Sequence, residues 1–457
     1  MEDCGAMRTS KSLPIRLLLL LSMTVGVQAE NNPNDLLMRV SQKIMDSIHR
    51  LPKYMCTLTV DRAVYRRSGG SPVSSCNHVE TPKKGGHLGR LSASDRLRLD
   101  VAIGASHDVS GTSGEMYSWV GENHFDNQGL FDIVRQGAIS SGSFSTLLIS
   151  IFGEDRASFS YSGNITLDGR ALAEFAFQVP LEKSNYLYFF ANNKRAVRTP
   201  MEGAILVDPR TFDLVRLTIH RTLPAEADAC ATSQTLDYGR VIFGDSDFLL
   251  VKQGRLDILS LNDEMENHIA YSACHEFTGE STLSFDPPLD SSPSVSGGGD
   301  SGTAGFSLPP GLPFQLVFVE PIDTAAAAVG DPIRARLAAA IRSPSSEVLV
   351  PSGATVLCRI VKAQRNYGRD ASFELAVKVE SVVVRGKSQP FNAAPDSGFR
   401  TFTKKSGRLK QRVNLGRLTV TEDRGAEIFE FRNASLKYVI KSGMVSNWLT
   451  LAPIAQP

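Results

Sequence analysis

Beyond its first thirty residues the sequence has no long apolar run. No later stretch reaches the ~18 apolar residues that a membrane-spanning helix needs. It also lacks an excess of charge: 49 basic against 48 acidic side chains leave a formal net charge of +1. Such a balance gives no global attraction to nucleic acid, so no nucleic-acid partner is expected. There is no CxxC, and no two of the eight histidines stand four residues apart. The short-range spacings of metal sites are therefore missing, and neither a metal nor another cofactor is expected. No cysteine follows the leader's apolar run at a cleavage position, which disfavours a lipid-anchored lipoprotein.

What is present begins with a leader. Arg8, Lys11 and Arg16 precede "LLLLLSMTVGV", and small residues follow at Val27 and Ala29. Charged, apolar and small segments in that order make a secretory signal peptide, cleaved after Ala29; "MRTSKSLPIRLLLLLS" makes Met7 the more usual start. The expectation is a periplasmic or secreted, soluble chain. Five cysteines remain after cleavage: Cys56, Cys76, Cys230, Cys274 and Cys358. Outside the cytoplasm paired cysteines are structural more often than reactive, and an odd number leaves one free.

Periodicity then divides the chain. "NPNDLLMRVSQKIMDSIHRL" places Leu37, Val40, Ile44 and Ile48 at helical spacing, with Asn34 or Asp35 as cap and Pro52 as stop. Next the period falls to two. Leu97, Leu99, Val101 and Ile103 share one face, as do Ala173, Phe175, Phe177 and Val179, and Val215, Leu217 and Ile219. Alternation of this kind marks antiparallel strands with one buried face. "VDPRT" between two runs is a turn, with Pro209 fixing the backbone and Asp208 capping it. One segment reads differently: Leu130, Ile133 and Val134, then Phe144, Leu147, Leu148, Ile151 and Phe152, fall at helical spacings in two short apolar helices. Helices that apolar belong in the concave face of a sheet.

Residues 286–311 have the Gly, Ser and Pro content of a flexible linker. The expected division is a signal peptide at 1–29, a β-rich domain at 30–285, the linker at 286–311, and a small all-β barrel or sandwich at 312–457.

The first domain, with its N-terminal helix, long first strand, apolar helices and "VDPRTFDLVRL" hairpin, resembles the LolA-type lipoprotein carriers of the bacterial envelope. That resemblance implies an unclosed half-barrel whose helices plug a cavity for acyl chains. "LPKYMCTLTVDRAVY", "EMYSWVG" and "YSACHEFTGESTLSF" are similar to a group of bacterial secreted proteins. The second domain, through "AVGDPIRARLAAAIRSPSSEVLVPSGATVLCRIV", resembles the β-barrel of the type IV secretion channel scaffold. That family's membrane helix and proline-rich arm have no counterpart here, so only the barrel fold is implied.

Candidate sites are few. Cys274, His275 and Glu276 stand side by side, but successive residues of a strand point to opposite faces, so His275 cannot reach the thiol. Pairing Cys274 with Cys230 is expected instead. Cys56 should pair with Cys76 across the turn that contains "RRSGGSP", and Cys358 should be a buried free thiol. Gly299-Asp300-Ser301-Gly302 matches a protease nucleophile turn, yet it sits in the linker, with nothing to hold an oxyanion hole. His107-Asp108 reads as a solvated loop, and the basic run from Lys404 to Arg412 as a solvated hairpin or a contact for anionic polymer. Phe144, Leu147, Leu148, Ile151 and Phe152 either complete the core or line a lipid cavity, where each buried CH₂ would contribute ~0.8 kcal/mol.

The expected fold is mainly β, a curved antiparallel half-barrel with N-terminal and inserted helices followed by a small barrel. The expected role is non-catalytic binding of a hydrophobic or lipidated ligand, with the C-terminal domain available to another envelope protein. The alternatives are a structural or assembly protein with a filled half-barrel, and an enzyme with a dispersed site.

Overall fold

The computed structural model describes residues 32–67, 75–79, 86–103, 115–122, 125, 130–134, 139, 144–189, 196–225, 227, 229–276, 308–369, 371–396, 400–405, 408–413, 425–432 and 438–452. The leader, His107, Asp108 and Gly299 to Gly302 lie outside them. The basic run falls on strands Arg400–Lys405 and Arg408–Val413, whose side chains also lie outside them.

The chain is mainly β. Helix α1 spans Pro33–Arg50 and is capped by the side chain of Asn32, not Asn34 or Asp35, because Pro33 takes the first helical position. Its buried stripe is Leu36, Val40 and Ile44. Strands β1 (Tyr54–Arg66), β2 (Arg90–Ile103) and β3 (Glu115–Trp119) are followed by the short helices α2 (Leu130–Ile133) and α3 (Phe144–Phe152). Strands β4 (Ser158–Leu167), β5 (Arg170–Val179), β6 (Met201–Val207), β7 (Leu214–Thr222), β8 (Ala231–Phe243), β9 (Ser246–Leu259) and β10 (Asp263–Glu276) complete the first part. Antiparallel pairing runs β3-β2-β1-β10-β9-β8-β7-β6-β5-β4, an open sheet. The helices α1 and α3 pack on each other and share one hydrophobic core with the sheet.

Alternation predicts the inward residues of β2 and β5, all of which are buried. In β7 it misplaces one. A bulge opposite Leu206 and Val207 inserts Val215 as an extra residue, so Leu214 faces the main core. Val215 joins Leu172 and Leu206 in a small cluster apart from that core. Asp208 accepts from the backbone N–H groups of Arg210 and Thr211, the predicted turn cap.

Leu308 is already buried in a second core, so the last residues of the expected linker belong to the fold. Strands β11 (Pro313–Phe318), β12 (Pro332–Leu337), β13 (Thr355–Asn366), β14 (Ser372–Val384), β15 (Ala426–Arg432) and β16 (Val445–Thr450) surround this core. Pairing runs β16-β11-β12-β13-β14-β15 and closes no barrel among the described residues. Cys358 is the free cysteine among the described residues and is fully buried between Val356 and Ile360.

The two cores meet at β2. β13 pairs with its first half through Gln364 opposite Asp95, and β3 with its second half. Val329 packs against both cores. Arg359, 4% exposed, binds the carbonyls of Val120 and Gly330 at 2.9 and 2.7 Å, Glu122 at 3.2 Å and Glu380 at 2.5 Å. A buried guanidinium is tolerable only when matched this fully.

Candidate functional site

One side of the first sheet is covered by α1 and α3, which share its hydrophobic core. On α3, Leu147, Leu148, Ile151 and Phe152 are buried, while the side chain of Phe144 lies outside the described residues. Phe152 stacks on Phe159 with ring centroids 5.6 Å apart, and Phe159 meets Phe177 at 6.2 Å. Burying a Leu or Ile side chain contributes ~1.5–3 kcal/mol, so apolar packing is a main hold on the helix.

An apolar cavity of about 30 Å³ remains at the seam between α1, the middle of α3 and the sheet. Its walls include Ile44, Ile48, Leu148, Leu214, Tyr238 and Leu250. Of the buried α3 residues, Leu148 reaches it; Leu147, Ile151 and Phe152 point into the core. The volume exceeds the ~10–15 Å³ that holds one water and is far too small for a long hydrocarbon chain. A hydrocarbon chain would therefore have to displace a helix to enter.

Polar groups mark the seam at two points. At its mouth Lys43 of α1 bridges to Asp213 at 2.9 Å, and Arg240 reaches the same oxygen at 2.6 Å. Burial alone would raise the Asp213 carboxyl, but hydrogen bonds from Arg240 and Lys43 outweigh it and hold the group below its ordinary value. Inside, the Tyr238 hydroxyl is buried and makes no hydrogen bond to a described residue. Burial pushes its phenol well above the ordinary range, so it stays a neutral donor. Tyr54 is likewise pushed well above its ordinary value, by burial first and then by Glu115, Tyr271 and Tyr238. Further along the same face Arg221, 4% exposed, lies 3.6 Å from the Tyr186 ring centroid and donates to Thr232 at 3.2 Å.

The four cysteines expected in disulfides are bonded, with partners exchanged: Cys56 to Cys274 and Cys76 to Cys230. Ala273 adopts a positive φ of 51° at a bulge in β10, where the β1 register slips between Met55 and Thr57. The bulge turns Cys274 to the inner face in place of Ala273 and sets it against Cys56. His275 and Glu276 remain exposed, and His275 Nδ1 lies 2.9 Å from the Ala273 carbonyl. The Cys-His-Glu run thus holds no free thiol. Two disulfides fit an extracytoplasmic protein.

Tyr238 and Arg221 escape sequence reading because each looks like an ordinary strand residue. Nothing in "TLDYGRV" separates a buried hydroxyl from an exposed one.

No family model and no curated protein matches the chain. Distant structural similarity exists to a domain provisionally described as an outer membrane lipoprotein-sorting protein, from Vibrio parahaemolyticus. It is 10% identical with a TM-score of 0.27, covering 54% of this chain and 94% of that one. A DUF1329 family protein from Desulfovibrio piger is similar at 11% identity and the same TM-score and coverage. Neither likeness extends to a function.

Proposed function

We propose that this is a non-catalytic protein of the bacterial envelope that binds the hydrocarbon chain of a lipid or lipidated partner. The site is the seam between α1, α3 and the sheet, within a curved half-barrel. The observation that carries this reading is Tyr238, which lines the apolar cavity and whose hydroxyl is buried without a hydrogen bond to a described residue. An unpaired buried hydroxyl costs free energy until a partner arrives, and the ester or carboxyl oxygen of an acyl chain would supply one. The chain itself would replace apolar contacts now made by α3. The second core, from about residue 308, would be a separate small β domain that docks on β2 and presents a face to another envelope protein.

The small cavity favours one other reading, a structural protein whose half-barrel is permanently filled. Titration with a fluorescent fatty acid separates the two. Saturable binding that weakens at least fivefold in Tyr238→Phe supports the carrier. No binding by wild type supports the filled half-barrel.

A further inference from the structure

On the outer face of the first sheet, away from the seam, a second group of side chains converges. Glu264, Glu266 and His268 alternate along β10 and so share one face. Both glutamates are buried, at 4% and 5% exposure. His87, just before β2, folds over them, its ring stacked on Tyr65 with centroids 3.6 Å apart. The His87 Nδ1 lies 3.1 Å from Glu264 Oε1 and 3.6 Å from Glu266 Oε2. One donor atom from each residue falls within 4.8 Å of the others. His268 Nε2 contacts Glu266 Oε1.

These separations match a coordination sphere. Ligands held ~2.0–2.1 Å from a tetrahedral zinc ion stand about 3.4 Å from one another, between the two distances seen here. The charges also call for a cation. Arg255 lies 3.4 Å from Glu266 Oε2 through Nη2, and its Nε–H is shared by both oxygens of Asp257 at 2.9 Å. Among the described residues, Arg255 is the fixed cation seen to pair with these carboxylates. Glu266 Oε2 is buried without a hydrogen bond to a described residue, while the Leu88 N–H donates to Glu264 Oε2 at 2.6 Å and leaves Oε1 aimed at His87. A backbone donor holding a carboxylate in this way is a usual outer contact of a metal ligand.

We propose that His87, Glu264 and Glu266 bind one divalent transition-metal ion of the zinc class, with His268 held on Glu266 Oε1 beside them. The ion would pin the connection between β1 and β2 to the outer face of β10. The Cys76–Cys230 disulfide ties the same connection to the start of β8. The absence of helical histidine spacing did not exclude such a site, because the spacing of a strand ligand set is two.

The test uses the full mature chain with both disulfides formed, stripped with chelator and titrated with zinc chloride by calorimetry and native mass spectrometry. One ion per chain is expected. Affinity should fall at least tenfold in His87→Ala and in Glu264→Gln, and be unchanged in His275→Ala, whose imidazole is exposed elsewhere on β10. His87 lies on a connecting segment, so circular dichroism can verify that His87→Ala stays folded. No zinc retained by wild type at micromolar concentration would overturn the proposal, as would equal binding by folded His87→Ala.

Discussion

Cys56 and Cys274 are joined across neighbouring strands at the one point where β10 carries an extra residue. The link closes a sequence separation of 218 residues, and the Cys76–Cys230 link one of 154. In the loop-entropy limit such loops contribute up to about 5 kcal/mol each. Non-reducing peptide mapping should recover these two pairs, with Cys358 unlinked. Cys358 should resist thiol reagents until the protein is denatured, since burial, followed by Glu380 and Glu427, pushes its pKa far up. A Cys56–Cys76 peptide would contradict the β10 bulge.

Gly330 sits where the two cores touch. Its φ is 101°, and a Cβ there would lie 2.2 Å from the Arg98 carbonyl and 2.6 Å from the Trp119 ring. Gly330→Ala should therefore destabilise the protein by about 2–4 kcal/mol, from the left-handed backbone and the overlap together. Chemical denaturation measures this. A change under ~0.5 kcal/mol would mean that the contact at β2 does not persist in solution.

Asp213 links α1 to the sheet through Lys43. Its carboxyl is held below the ordinary value, so its stabilisation is complete above the unfolded pKa of ~3.9 and fades as pH falls through the lower folded value. The stability gap between wild type and Asp213→Asn should be full at about pH 6 and close toward about pH 2. A gap that stays constant across this range would show that the Lys43–Asp213–Arg240 bridge contributes nothing.

Much of the fold was legible because period-two patterns in β2 and β5 and the "VDPRT" turn report burial directly. The disulfide partners were not legible. Strict alternation puts Ala273 inward and Cys274 outward, and only a positive φ at Ala273 reverses this. The same effect moved Val215 away from the main core. Bulges leave no mark in a hydrophobic pattern, since they change phase without changing composition. The site was half legible. The apolar character of α3 was plain, but whether Leu147 and Ile151 face a void or a wall depends on packing that no linear pattern encodes. Glu264, Glu266 and His268 were readable as one strand face; their approach to His87, 177 residues from Glu264, was not.

The proposed division into two domains predicts that limited proteolysis cuts first within residues 286–307, whose composition offers little apolar surface to bury. Two stable fragments should result, separated once the Arg359 and β2 contacts are broken by mild denaturant. First cuts elsewhere would refute the division.

The central claim is that the seam beneath α1 and α3 accepts a hydrocarbon chain. Native mass spectrometry of protein exported to a bacterial periplasm, followed by solvent extraction, tests it most directly. The account predicts a bound species carrying an acyl chain in wild type, and its loss in Ile48→Trp, which fills the mouth of the cavity while leaving the melting temperature within a few degrees. Wild-type protein that leaves the periplasm with no hydrophobic ligand and takes up none from vesicles would contradict it.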